Sequence, residues 1–315
     1  MPHYRNALPQ LGGKLFLTDG GIETTLIFHE GLELPDFAAF DLLKDEHGRA
    51  ALHKYFRTYA ELARRYGVGL ILESATWRAN ADWGTKLGYS AAELARFNQA
   101  AIALLLEVRD EYATAQLPIA LSGCVGPRGD GYSPASLMSA DEAHHYHRAQ
   151  MDTFKDSAAD FVTAVTMNYP AEAIGVARAA AQAGLPVVIS FTVETDGRLP
   201  SGESLREAIE QVDAAASPAP AYYMINCAHP RHFEQVLATD APWTQRIRGL
   251  RANASTKSHA ELNDSAELDI GDPAALGEDH GALVRQLRHI NVLGGCCGTD
   301  HRHVEAICRA VLPYF

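Results

Sequence analysis

Two adjacent cysteines between glycines, in Gly294-Gly295-Cys296-Cys297-Gly298-Thr299, are the residues of this chain best suited to chemistry. They follow the apolar run Ile290-Asn291-Val292-Leu293. Neighbouring side chains of a strand point to opposite faces, so two adjacent thiols would not ordinarily serve one centre. Flanking glycines open backbone conformations closed to other residues and can turn both sulfurs inward. With a third cysteine the pair supplies three thiolates for a soft metal, and zinc with a free fourth position suits that set. Tyr222-Tyr223-Met224-Ile225-Asn226-Cys227 is a second β-prone run ending on a cysteine, 69 residues before Cys296. Ligands far apart in sequence, at the ends of two strands, suit a catalytic site; a small structural zinc module would show close cysteine pairs. The other readings of the double cysteine are a turn packing small residues and a phosphate-binding loop, but a phosphate cradle needs glycine amides and no thiols. Cys308, in the amphipathic stretch 303–312, reads as a core thiol. Cys124, in Ser122-Gly123-Cys124-Val125-Gly126-Pro127, is a weaker candidate.

The elements that must position these residues are short apolar runs alternating with helical patterns. Runs at 14–18, 69–73, 118–122, 161–166, 186–193, 221–226, 246–251 and 290–294 are nearly continuous in Val, Ile, Leu and Phe, as strands covered on both faces are. Between them, 49–66, 91–113, 140–158, 171–183, 205–212 and 301–312 carry apolar residues at three- and four-residue spacing. Ser90, Ser139 and Ser204 stand where helix N-caps belong, and Gly67 and Gly184 where C-terminal glycines do. Eight strands alternating with helices predict an α/β protein, a parallel (β/α)8 TIM-type barrel forming a single domain over residues 1–315; a doubly wound sheet is the alternative. Segment 253–277, long and polar, is expected to lie over the barrel mouth. Chemistry in such barrels gathers at the C-terminal strand ends. Asp19-Gly20-Gly21, Glu73, Cys124, Thr166, Glu194, Cys227, Arg251-Ala252-Asn253 and Cys296-Cys297 therefore converge on one pocket, while Glu23, Thr24 and Thr25 are expected to start the following loop or helix, with pocket contact the lesser reading.

Composition limits the partners. The chain has 315 residues, 47% of them hydrophobic, ample for a large core. A net charge of −12, from 27 basic and 39 acidic residues, argues against nucleic acid or an anionic membrane surface. No apolar stretch reaches the roughly 18 to 20 residues of a membrane helix, and residues 1–14 lack the apolar core of a signal peptide. Five cysteines without a disulfide-like spacing fit a reducing cytoplasm.

Asn226-Cys227 together with Gly294-Gly295-Cys296-Cys297-Gly298-Thr299 resembles the zinc signature of the homocysteine S-methyltransferase family. Thr18-Asp19-Gly20-Gly21, Ser190-Phe191-Thr192 and Ser201-Gly202-Glu203-Ser204 resemble further segments of it, and the likeness runs along nearly the whole chain. The resemblance implies that Cys227, Cys296 and Cys297 bind Zn2+, with the thiol of a small-molecule acceptor in the fourth position. A methyl group would come from an onium donor. The length resembles the short branch that uses S-methylmethionine, with homocysteine as acceptor and methionine as product. Asp19 is the catalytic candidate; Gly20, Gly21, Glu73, Trp77 and Asn253 are substrate-binding candidates. Trp77 is placed as an aromatic wall for the onium methyl. His229 is expected to line the pocket or orient a ligand, whereas the His144–His147 cluster is expected to be packing or surface. Monomer and dimer stay open.

One departure stands out. The family pattern places a glutamate at the end of strand four to hold the amino group of homocysteine, and Val165 occupies that place here. Losing a charge-assisted contact costs roughly 1.5 to 3 kcal/mol. Either Glu73 takes over or the acceptor is a different thiol. The segment Arg251-Ala252-Asn253-Ala254-Ser255 also drifts from the family's Pro-Asn-Ser-Gly pattern. A zinc hydrolase and a non-catalytic zinc- or thiol-binding barrel are the remaining alternatives.

Overall fold

The eight apolar runs fold as eight parallel strands in the computed structural model, which describes residues 1–134, 137–263 and 267–315. Strand β1 (Phe16–Leu17) leads to α1 (Glu46–Tyr66), and β2 (Gly69–Glu73) to α2 (Ala81–Lys86) and α3 (Ala91–Tyr112). There follow β3 (Ile119–Val125), α4 (Ala140–Lys155), β4 (Phe161–Met167), α5 (Pro170–Ala183), β5 (Val187–Phe191) and α6 (Leu205–Ala215). The last part comprises β6 (Tyr222–Asn226), α7 (Pro230–Leu237), β7 (Ile247–Ala252), α8 (His259–Asn263), α9 (Pro273–Gln286), β8 (Val292–Gly295) and α10 (His301–Val311). Each strand pairs with its neighbour in sequence. Pairing of Phe16 with Val292 and of Leu17 with Leu293 closes the ring, so the sheet is a barrel and not an open doubly wound one.

Local chemistry explains most boundaries. Ser90, Ser139 and Ser204 each form a capping box with the glutamate three residues on, satisfying backbone donors at the starts of α3, α4 and α6. Gly67 and Gly184 end α1 and α5 in the left-handed conformation, at φ 64° and 71°. Strand β3 runs on to Val125, past the expected end at 122, because Cys124 and Val125 still pair with Thr163 and Ala164 of β4. Strand β1 is shorter than the expected 14–18. Its bonding to β8 nevertheless continues to the site, from Thr18 N–H to Leu293 and from Gly295 N–H to Asp19, both 2.9 Å.

Two apolar layers hold the barrel. Leu17, Leu70, Leu72, Ile119, Leu121 and their neighbours face outward and pack against the helices. Phe16, Ile71, Ala120, Phe161, Val188, Tyr222, Met224 and Val292 point inward and fill the lower barrel together with Leu8. The N-terminal segment seals this end. Asp160, fully buried, accepts hydrogen bonds from His3 N–H (2.6 Å), Tyr4 N–H (2.8 Å) and Leu121 N–H (2.9 Å). Its other partner is the buried Arg109 guanidinium at 3.0 Å. Among the described residues no helix is long and apolar enough to cross a membrane.

Removing one member of a buried pair strands the other charge. Asp160→Ala is therefore expected to lower the unfolding free energy by about 3–5 kcal/mol in urea denaturation. A loss of less than about 1 kcal/mol, as for a surface pair, would show that the seal does not hold the fold.

Candidate metal centre and substrate pocket

The C-terminal ends of the strands meet around one pocket, lined by Asp19, Gly20, Gly21, Glu23, Glu73, Trp77, Cys124, Tyr132, Val165, Thr166, Arg251 and the cysteine cluster, among others. The Sγ atoms of Cys227, Cys296 and Cys297 all lie within 4.8 Å of one another, and those of Cys227 and Cys296 are in direct contact. Tetrahedral Zn–S bonds of about 2.3 Å set their sulfurs roughly 3.8 Å apart, so the cluster could hold one metal ion with Cys227 and Cys296 drawn apart from the disulfide contact they make here. Cys227 is buried, Cys296 half-buried and Cys297 exposed, which leaves the pocket side of the cluster open.

The backbone that aims these sulfurs meets the expectation at one flanking glycine, Gly298, which is left-handed at φ 78°. Gly294 and Gly295 belong to β8 and have no left-handed φ; they are required because the backbone is crowded. A Cβ on Gly294 would stand 2.0 Å from Thr18 Oγ1, and one on Gly295 2.0 Å from Thr299 Oγ1. Cys296 and Cys297 lie beyond the strand, in the following turn, so strand alternation does not separate them. The strained residue is Cys227 itself, at φ 54°, with Thr166 at φ 61° beside it. A non-glycine residue there costs about 1–3 kcal/mol and persists only when its surroundings enforce it. They do so here. The Cys227 carbonyl accepts from Asn253 Nδ2 (3.0 Å) and lies 2.6 Å from His259 Nε2, while its N–H donates to the Arg251 carbonyl. Asn226 Oδ1 accepts from Thr166 N–H (2.9 Å) and Ser190 Oγ (2.6 Å), and its Nδ2 donates to Thr166 Oγ1.

A buried charge group forms the wall beside the cysteine cluster. Arg251, at 8% exposure, pairs through Nη2 with Asp19 Oδ1 at 2.5 Å and through Nη1 with Glu73 Oε2, and its Nε donates to the Gly295 carbonyl. Tyr55 donates its hydroxyl to Asp19 Oδ2 at 2.9 Å. Burial raises the Asp19 pKa to about 6 against the opposing pull of Arg251, with Glu73 adding to the rise. Burial opposes the charge of Arg251, but Asp19 and Glu73 outweigh it and raise its pKa. Glu23, half-buried in the turn after Gly21, also has its pKa raised to about 7, chiefly by burial.

Two loops meet over the mouth. Tyr132, from the loop after β3, places its hydroxyl 3.7 Å from Cys297 Sγ and its ring 4.2 Å from that of His259. His259 begins α8 in segment 253–277, so that segment does reach across the mouth; its residues 264–266 lie outside the described ones. His259 Nδ1 also lies 3.1 Å from Glu194 Oε1. Trp77 forms another wall, with the Arg78 guanidinium 4.1 Å from its ring and 3.7 Å from that of Trp83.

Of the residues singled out from sequence, Asp19, Gly20, Gly21, Glu73, Trp77, Cys124 and the three metal candidates all line the pocket. Asn253 does not. It is buried behind Cys227 and serves that residue's carbonyl, because the chain turns away from the pocket after β7. His229 also stays outside; its Nδ1 accepts from Arg231 N–H at the start of α7, and burial lowers its pKa to about 4. His144 meets Gln182, and buried His147 meets Glu172 at 2.9 Å, so both pack within the helical layer. Arg251, at the end of the seventh run, and Glu23, after Asp19-Gly20-Gly21, also line the pocket. The pairing of Arg251 with both Asp19 and Glu73 is what the sequence did not show.

Comparison with known proteins places this geometry. The chain is 24% identical to homocysteine S-methyltransferase 4 of Zea mays over 321 residues, covering 95% of this chain and 90% of that one. It is 22% identical to homocysteine S-methyltransferase 1 of Arabidopsis thaliana, with 94% and 93% covered. The oxidized form of the Escherichia coli homocysteine methyltransferase MmuM shares the fold at a TM-score of 0.75 and 18% identity, with 98% and 99% covered. The metallated form of MmuM gives 0.71 at 17% identity, with 96% and 98% covered. The family model described as homocysteine S-methyltransferase matches residues 16–311, and the chain, a methyltransferase, belongs to that family.

Proposed function

We propose that this chain is a zinc-dependent S-methyltransferase that moves a methyl group from an S-methylmethionine-like onium donor to a thiol acceptor, homocysteine, giving methionine. The observation that carries the reading is the three-cysteine cluster, open on its pocket side. The metallated form of MmuM supports a metal in a barrel of this kind. The working unit is the single domain of residues 1–315, and a reducing cytoplasm suits its thiols.

Cys227, Cys296 and Cys297 would hold the zinc, which when bound supplies the charge that strips the proton from an incoming thiol. Asn253 and His259 fix the carbonyl of Cys227 and so the direction of its sulfur. Tyr132 keeps its hydroxyl at hydrogen-bond reach of Cys297. A side chain on Gly20 would strike the Tyr59 hydroxyl and one on Gly21 the Cys296 carbonyl, so these glycines let the segment after β1 pack against the turn that carries Cys296 and Cys297. Trp77 and Tyr132 offer aromatic faces to an onium methyl. Asp19 and Glu73, locked to Arg251, present a polar wall to the substrate. Transfer forms a carbon–sulfur bond on the acceptor as the donor's onium bond breaks, and the opposite charges vanish together. A pocket that replaces water with fixed groups favours such a step.

Val165 supports a second reading, the same chemistry on a different thiol. It lines the pocket and is 8% exposed, offering no charge where an amino group would need one.

Incubation of the zinc-loaded protein with homocysteine and S-methylmethionine is expected to yield methionine. Turnover of another thiol in preference to homocysteine would select the second reading; no methyl transfer to any thiol would reject both. Cys296→Ser and Cys297→Ser are each expected to lower bound zinc, measured by metal analysis, and to cut turnover by more than about 100-fold, since even outer-shell changes cost 10- to 100-fold.

The charge wall makes a pH prediction. With a pKa of about 6, Asp19 is ionised above that pH and takes up a proton below it, losing its pairing with Arg251. Glu23 follows the same sign near 7. The value of kcat/KM is therefore expected to fall as pH drops from 7 through 6. In Asp19→Asn the lower of the two steps should vanish from the pH profile; an unchanged acid limb would remove Asp19 from the reaction.

A further inference from the structure

Three carboxylates line the pocket, and their situations differ. Asp19 and Glu73 are both bound to the Arg251 guanidinium. That cation is fully occupied, because its Nε is also held by the Gly295 carbonyl. Glu23 has no side-chain partner in hydrogen-bond or ion-pair reach among the described residues; its own backbone N–H is the group that steadies it. The nearby cation Arg78 is committed elsewhere, stacked between Trp77 and Trp83 with Nη1 on the Gly129 carbonyl.

The position of Glu23 matters as much as its freedom. Glu23 lines the same pocket as Cys124, Tyr132, Cys296 and Cys297. Three carboxylates against one guanidinium leave the pocket with an excess of negative charge, before any thiolate is counted. Trp77 and Tyr132 add aromatic faces that attract cations. Val165, across the pocket, supplies no charge. A half-buried carboxylate with no partner is costly to keep ionised unless a ligand completes it.

We propose that Glu23 is the specificity-determining carboxylate of this site, receiving a cationic group of a substrate, ammonium or onium, beside the cysteine cluster. This rests on the methyl-transfer reading for the identity of the ligands and on the geometry of the pocket for the sign of their charge. The contact is made by Glu23 Oε atoms to a positively charged nitrogen or sulfur centre, with no bond formed or broken.

Calorimetric titration of the zinc-loaded wild-type protein and of Glu23→Gln tests it. The ligands are homocysteine, S-methylmethionine and 4-mercaptobutanoate, which keeps the thiol and carboxylate of homocysteine but lacks the ammonium. The variant is expected to bind a cationic ligand about 10- to 100-fold more weakly, the loss of one charge-assisted contact, and 4-mercaptobutanoate within about twofold of wild type. A loss for homocysteine alone places the acceptor's ammonium on Glu23, and a loss for S-methylmethionine alone places the donor there. Unchanged affinity for both cationic ligands overturns the proposal, as does an equal loss for all three, a loss of zinc from the variant, or a wild type that binds neither cation. Wild-type protein that binds these ligands yet forms no methionine would instead reject the methyl-transfer reading and leave the cation site standing.

Discussion

Closure of the barrel between its first and last strands is the constraint on which the site depends. Hydrogen bonds from Phe16 N–H to Asn291, from Thr18 N–H to Leu293 and from Gly295 N–H to Asp19 carry the seam to the rim of the pocket. At its upper end Gly294 and Gly295 are pressed against Thr18 and Thr299 so tightly that no side chain fits. The seam therefore does two things at once. It completes the hydrogen bonding that an open sheet would leave exposed, and it brings Asp19-Gly20-Gly21 beside Cys296-Cys297. A residue larger than glycine at either position would separate the charged wall from the cysteine cluster.

The charged wall is itself a balance of opposed effects. Groups as buried as Asp19 and Arg251 would each resist ionisation alone. Together, one guanidinium shared by two carboxylates keeps Arg251 charged while leaving Asp19 on the edge of protonation. Such a wall is rigid, since every donor of the pairing is directed, and rigidity is what a site needs to hold a sulfur and a methyl carbon in line.

Much of this was legible in the sequence because local rules govern it. Serine caps at 90, 139 and 204, glycine stops at 67 and 184, and eight apolar runs gave the elements and their order. The cysteine cluster followed from strand ends. What escaped depends on geometry across the barrel. Glycine spacing suggested unusual dihedrals around the double cysteine; Gly298 has one, as does Cys227, whereas Gly294 answers to crowding from Thr18 and Gly295 to crowding from Thr299. Asn253 stands two residues after the pocket-lining Arg251, yet its side chain turns behind Cys227. Glu73 looked available until Arg251 was seen to bind it, and that pairing joins β2 to β7 across the barrel interior. No periodicity along one strand reports a partner on the opposite wall.

The seal at the bottom of the barrel has a consequence for traffic. With Leu8, Phe16 and Tyr222 filling the lower half and Asp160 fastening the N-terminal segment beneath, the vessel is stoppered at one end. At the other end Tyr132 and His259 lean together across the opening. Among the described residues that end is where reactants and products would pass. Whatever rests deepest has to arrive first and depart last, so the architecture writes a queue into the catalytic cycle.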